Sequence, residues 1–170
     1  MISCIPIQKM YSVGGELLEK ISVSLQKQNF KIATAESCTG GLIAHTLTNI
    51  SGSSNYFDRG LITYSNEAKT ELLNVSENLI KEYGAVSSQV ASSMAEGVRK
   101  NSYVDIGIAT TGIAGPTGGT KEKPVGLVFI AISTKYKTNV EKFQFKGDRL
   151  QNKQFFCEAA LKMLLSVLEE

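Results

Sequence analysis

Residues 104–145 read VDIGIATTGIAGPTGGTKEKPVGLVFIAISTKYKTNVEKFQF, and the fold class turns on this stretch. Val104, Ile106 and Ile108 alternate with smaller residues over Val104–Thr110, the two-residue period of a strand. Val125–Ser133 (VGLVFIAIS) is apolar almost throughout, as expected of a strand buried on both faces. A last strand is expected over about Val140–Phe145. The step between these two strands is short enough for a hairpin, so they should run antiparallel.

Outward from this stretch, strands alternate with helices. Gly14–Phe30 carries Leu17, Leu18, Ile21 and Leu25 at helical spacing. A short strand over Lys31–Glu36 (KIATAE) leads into the turn SCTGG and a helix over Leu42–Ile50. Phe57–Tyr64 is expected to be a strand. Asn66 reads as the cap of a helix bearing Lys69, Leu72 and Leu73, because a short polar side chain can accept a free N–H of the first turn. Ser87 or Ser88 caps another helix, with Val90, Met94 and Val98 inside. A final helix runs from Leu150 to the end, with Phe155, Phe156, Ala159, Leu161, Leu164 and Leu165 as its apolar positions. Strands alternating with helices predict an α/β sandwich, and the hairpin makes its sheet mixed. No repeat or linker interrupts the chain, so residues 1–170 read as a single domain.

Composition narrows the function. Eighteen basic and 16 acidic residues leave a formal charge of +2, which gives no basic stripe for direct nucleic-acid binding. No apolar run approaches the ~20 residues that span a bilayer, and the first residues show no secretory pattern. Cys4, Cys38 and Cys157 are odd in number and far apart, which suits a reduced, cytoplasmic setting and forms no metal pair. With one histidine and no CxxC, no metal site is expected.

Four segments carry possible chemistry. Thr110–Gly119 (TTGIAGPTGG) holds four glycines and a proline after a buried strand. Such a run forms either an anion nest of backbone N–H groups or a plain connection between strands. Ala35–Gly41 (AESCTGG) is a strand–turn–helix junction. Ser37 or Cys38 there is either a nucleophile or a small packed group, and its glycines serve either the turn or a phosphate at the helix N-terminus. Gly52–Lys69 (GSSNYFDRGLITYSNEAK) combines a Ser-Ser pair, a tyrosine and a lysine. His45, the chain's one histidine, lies mid-helix, so a serine nucleophile would turn to lysine as its base. With a reference pKa of ~10.4, only about 1 lysine in 2,500 is neutral at pH 7, so burial or a neighbouring cation must lower that value. Lys69, in the first turn of a helix, is a candidate; the alternative is a solvated side chain. Gly147–Arg149 (GDR) is expected to end the last strand and offers a guanidinium fork for phosphate, or a surface ion pair.

In this order, TAESCTGG, GSSNYFDRGLITYSNEAK, YGAVS, TGIAGPTGGTKEKPVG and GDR resemble the CinA C-terminal-domain family, whose stand-alone members are nicotinamide mononucleotide deamidases. The resemblance covers nearly the whole chain. It implies a three-layer α/β/α sandwich with a mixed sheet, no cofactor, a cytoplasmic homodimer, and a place in pyridine nucleotide salvage. It implies hydrolysis of the nicotinamide carboxamide without a metal. By motif position it makes Ser54 the nucleophile and puts Lys69, Tyr64, Thr111 and Arg149 in the site; chemistry then suggests Lys69 as the base, Tyr64 as a proton relay or lysine support, and Thr111 as an oxyanion contact. Arg149, with Ser37, Thr39 and Gly40 of the first turn and Gly112, Gly115 and Gly118 of the second, would hold the substrate. Lys153 stands where the family often has arginine. A non-catalytic nucleotide-binding module associated with competence is the rival reading; it has no need of a serine and a lysine together.

Overall fold

The computed structural model describes residues 14–170; Cys4 and the first-residue pattern lie outside them. The element order is α1 (Gly15–Gln28), β1 (Ile32–Glu36), α2 (Leu42–Thr48), a 3₁₀ turn (Ser53–Asn55), β2 (Phe57–Ile62), α3 (Asn66–Leu73), α4 (Glu77–Tyr83), α5 (Ser88–Asn101), β3 (Ile106–Gly112), β4 (Leu127–Ser133), β5 (Thr138–Gln144) and α6 (Arg149–Glu169). The strands form one sheet in the order β2-β1-β3-β4-β5. β1 pairs in parallel with β2 and with β3, whereas β3–β4 and β4–β5 are antiparallel. The sheet is therefore mixed, and helices cover both faces. This is the three-layer α/β/α sandwich.

The two faces are packed differently, and the strand period explains why. Ile32, Ile106, Ile108, Val128, Ile130 and Ile132 point to the side of α1, α2 and α6 and make a core of large side chains. The opposite face carries Ala33, Ala35, Ala109 and Ala131 against α3, α4 and α5. Small residues let α5 approach the sheet closely: a Cβ at Gly107 would lie 2.2 Å from the carbonyl oxygen of Ala95.

Local chemistry moves several boundaries. Ser65, not Asn66, caps α3, its side chain accepting from Ala68 N at 3.0 Å. Ser87 caps α5 by accepting from Val90 N. Arg149 opens α6 rather than ending a strand; Asp148 and Gln151 form a capping box there. The helix α4 has no counterpart in the sequence reading, being only seven residues long.

The topology also fixes where a ligand can sit. The β1–α2–β2 crossover lies on one face and the β2–α3–α4–α5–β3 crossover on the other. The chain thus moves one way across the sheet from β1 to β2 and the other way from β2, past β1, to β3, and the crevice beyond the carboxyl ends of β1, β2 and β3 is a switch point of the kind where open α/β sheets bind ligands.

Candidate active site

A cleft of about 340 Å³ opens at that switch point. β1 delivers Ser37 and Cys38, the end of β2 delivers Tyr64, and α3 delivers Asn66 and Lys69. The end of β3 and its glycine-rich loop supply Thr111–Gly115, Thr117 and Gly118, and α6 supplies Arg149. Ala85 and Val86 complete the wall.

Lys69 is the centre of this arrangement. It is 1% exposed. Its amine donates to the carbonyls of Thr63 at 2.9 Å, Tyr64 at 3.3 Å and Ser65 at 3.3 Å, and to Ser37 Oγ at 3.3 Å. Burial pushes its pKa below the ordinary lysine value, against a smaller upward pull from Cys38 and Glu67. No carboxylate pairs with the amine among the described contacts; its partners are neutral oxygens. A lysine in this position is easier to deprotonate than a solvated one.

The serine that meets Lys69 is Ser37, which corrects the expected Ser54–Lys69 pair. Ser54 is exposed in the 3₁₀ turn before β2, whereas the amine of Lys69 is held beyond the far end of that strand. The five steps of β2 from Phe57 to Ile62 separate the two by roughly 17 Å of backbone. Ser37, by contrast, continues β1, its N–H donating to Thr110 O at 3.1 Å. The neighbouring Cys38 is buried, and burial pushes its thiol up to about 12. It therefore stays protonated and unreactive near neutral pH. His45 is exposed on α2, with Asn49 at 3.4 Å from its Nε2, and lies outside the cleft.

The phosphate reading of the first turn is also corrected. Glu36, 1% exposed, turns its carboxylate onto the start of α2 and accepts from Gly41 N, Ile43 N and Ala44 N at 2.9, 3.1 and 2.8 Å. The helix start is thus occupied by an internal carboxylate. Thr39 is buried with its hydroxyl 2.8 Å from that of Thr110, so it supports the strand end rather than lining the cleft. Gly40, at φ +64°, makes the turn, and Lys153 Nζ lies over it, 3.4 Å from where a Cβ would stand. Neither Thr39 nor Gly40 lines the cleft.

Thr111 hydroxyl donates to Ala85 O at 2.7 Å. Its proton is committed, so the oxygen faces a ligand as an acceptor and not as the oxyanion donor the sequence suggested. Arg149 spans the mouth, donating to Gly115 O at 2.7 Å and to the Tyr64 hydroxyl at 3.0 Å. The glycines of the second loop line the cleft for different reasons. Gly112 is required by packing, since a Cβ would come within 2.5 Å of Leu127 O, and Gly115 and Gly118 adopt φ of +89° and +88°. Glu36 is the residue that motif reading passed over. It stands inside AESCTGG, and its signal was an acidic residue at a strand end just before a helix.

The fold and cleft define an α/β protein with a buried lysine and a serine at the switch point of a mixed sheet. The chain belongs to the CinA C-terminal domain family, whose profile matches residues 15–168. It is 50% identical over 159 residues to a CinA-like protein of Syntrophus aciditrophicus, covering 92% of this chain and 38% of that one. It thus spans little more than a third of the length of such relatives. Among solved structures, the competence/damage inducible protein CihA from Agrobacterium tumefaciens superposes with a TM-score of 0.88 at 40% identity, over 91% of this chain and 94% of that one. A CinA superfamily protein from Escherichia coli does so with a TM-score of 0.86 at 31% identity, over 94% and 95%. Among the described residues, no helix is long and apolar enough to cross a membrane.

Proposed function

We propose that the cleft hydrolyses the carboxamide of nicotinamide mononucleotide to nicotinate mononucleotide and ammonia, with Ser37 as nucleophile and Lys69 as its base. The observation that carries this reading is the buried Lys69 amine 3.3 Å from Ser37 Oγ in an open cleft. The choice of substrate rests on the family resemblance.

Neutral Lys69 has two N–H bonds and one lone pair. The N–H bonds stay on backbone carbonyls and the lone pair turns to the Ser37 hydroxyl. Ser37 Oγ bonds to the carboxamide carbon as its proton passes to Lys69 Nζ. The C–N bond of the tetrahedral species then breaks, Lys69 returns the proton to the departing nitrogen, and ammonia leaves. Water adds to the acyl-serine with Lys69 again taking its proton. Collapse releases the carboxyl product, and Ser37 recovers a proton from Lys69.

Thr111 Oγ, an acceptor in this setting, suits the N–H of a carboxamide and disfavours the carboxylate of the product. Arg149 has donors beyond the two it commits to Gly115 and Tyr64, and its place at the mouth suits the phosphate.

Ammonia release from nicotinamide mononucleotide by the purified protein tests the proposal. The parent should release it, with or without EDTA, and Ser37→Ala should not. Saturable nucleotide binding with no ammonia release would instead favour the non-catalytic nucleotide-binding module.

A further inference from the structure

We infer that Glu36 is a positioning residue that holds both members of the serine–lysine pair in register: its side chain fixes the turn carrying Ser37, and its backbone carbonyl fixes the strand end that holds Lys69. This rests on the reading of Ser37 as nucleophile.

The carboxylate oxygens of Glu36 are fully engaged. Oε2 accepts from Gly41 N and Ile43 N, and Oε1 accepts from Ala44 N and, at 3.3 Å, from the Thr34 hydroxyl. Residue 36 is thereby tied to residues 41–44, and Ser37 lies inside the closed segment. On the other side, the carbonyl of Glu36 accepts from Thr63 N at 2.8 Å, and the carbonyl of Thr63 takes the shortest bond from Lys69 Nζ, 2.9 Å. One residue therefore touches the supports of both reacting groups without reaching the cleft itself. α2 comes near enough for these bonds because Gly60 lies beneath it; a Cβ there would meet Ala44 Cβ at 2.8 Å.

Only a carboxylate satisfies this nest. All the side-chain partners are donors, and two of them face each oxygen. In Glu36→Gln, either orientation of the amide turns an NH₂ group toward at least one backbone N–H. The Ser37 turn must shift, while the backbone bond to Thr63, and so Lys69, stays. A displacement of about 1 Å at a nucleophile costs on the order of 100-fold in rate.

The test measures kcat, product affinity and the pH profile of Glu36→Gln, together with the rate at which an aryl fluorophosphonate labels Ser37, read by mass spectrometry. The expected result is a fall of about 100-fold in kcat and in labelling. Product affinity should change less than about threefold, and the acid limb set by Lys69 should stay in place. A folded variant labelled at the parental rate overturns the inference. So does a kcat that falls only in step with product affinity and a displaced acid limb, which is what general disruption of α2 would produce. If Glu36→Gln does not fold, Thr34→Val removes a single bond to Oε1. Labelling should then slow by about threefold, in keeping with one modest hydrogen bond, and an unchanged rate overturns the inference. A parent protein that carries no label at Ser37 removes the nucleophile assignment as well as this one, which separates the two failures.

Discussion

Ser37 and Ser54 sit at opposite ends of the same parallel pair of strands. Ser37 follows the carboxyl end of β1; Ser54 precedes the amino end of β2. Both are small polar residues in glycine-containing turns, and both belong to motifs that read well. Their surroundings differ because parallel strands put their functional loops at one end. At the carboxyl end, β1, β2 and β3 bring Ser37, Tyr64 and Thr111 together, and α3 returns Lys69 to the same place. At the amino end, Ser54 meets solvent.

The largest expected effect breaks or sustains that contrast directly. Ser37→Ala and Lys69→Ala should each lower kcat by at least ~10³, and the double variant should be little worse, because residues acting as one unit are non-additive. Ser54→Ala should stay within about twofold of the parent, as an exposed side chain with no role in the cleft would. An inactive Ser54→Ala that folds normally would reverse the assignment.

Next in size is the mouth of the cleft. Charge-assisted bonds to phosphate are worth ~1.5–3 kcal/mol. Arg149→Ala should therefore lower kcat/KM for the mononucleotide by about 10- to 150-fold and hardly affect nicotinamide riboside, which lacks the phosphate. Equal losses on both substrates would remove the phosphate contact and leave Arg149 as a support for Tyr64 and Gly115. At the end of β3, Thr111→Val removes an acceptor of near-equal shape. We expect a fall of about tenfold in kcat/KM, in line with one ordinary hydrogen bond, and tighter inhibition by the carboxylate product. Unchanged product inhibition would sink the discriminating role.

The smallest effect is on stability. Burial lowers the pKa of Lys69 in the folded chain, while the unfolded chain keeps the ordinary value of ~10.4. Between the folded pKa and ~10.4 the unfolded state binds more protons, so stability should rise with pH across that window and level off above it. Below the folded pKa both states are protonated and the cost is constant. Urea midpoints of the parent measured against Lys69→Met should show the parent gaining as pH climbs. Parallel curves would mean that Lys69 is not perturbed.

Much of the fold was legible because its signals are local. The alternation in VDIGIAT, the apolar run of β4, the short step to β5 and the cap at Ser87 all act within a few residues. The boundaries that moved, at Ser65 and Arg149, were decided by one or two capping hydrogen bonds each. The cleft was legible in part: Lys69, Tyr64, Thr111, Arg149 and three glycines lie in it, whereas Thr39 and Gly40 support the turn instead.

The amino-acid sequence alone determined a mixed α/β sandwich with glycine-rich turns, because strand period, helix spacing and turn chemistry are short-range properties of the chain. Which serine meets Lys69, whether that lysine is solvated, and whether Thr111 can donate a hydrogen bond to a ligand or only accept one were decided only by tertiary structure. Those answers depend on residues 26 to 32 positions apart being brought within about 3 Å and on water being excluded around them. Sheet order and strand direction govern both, and no local motif encodes either.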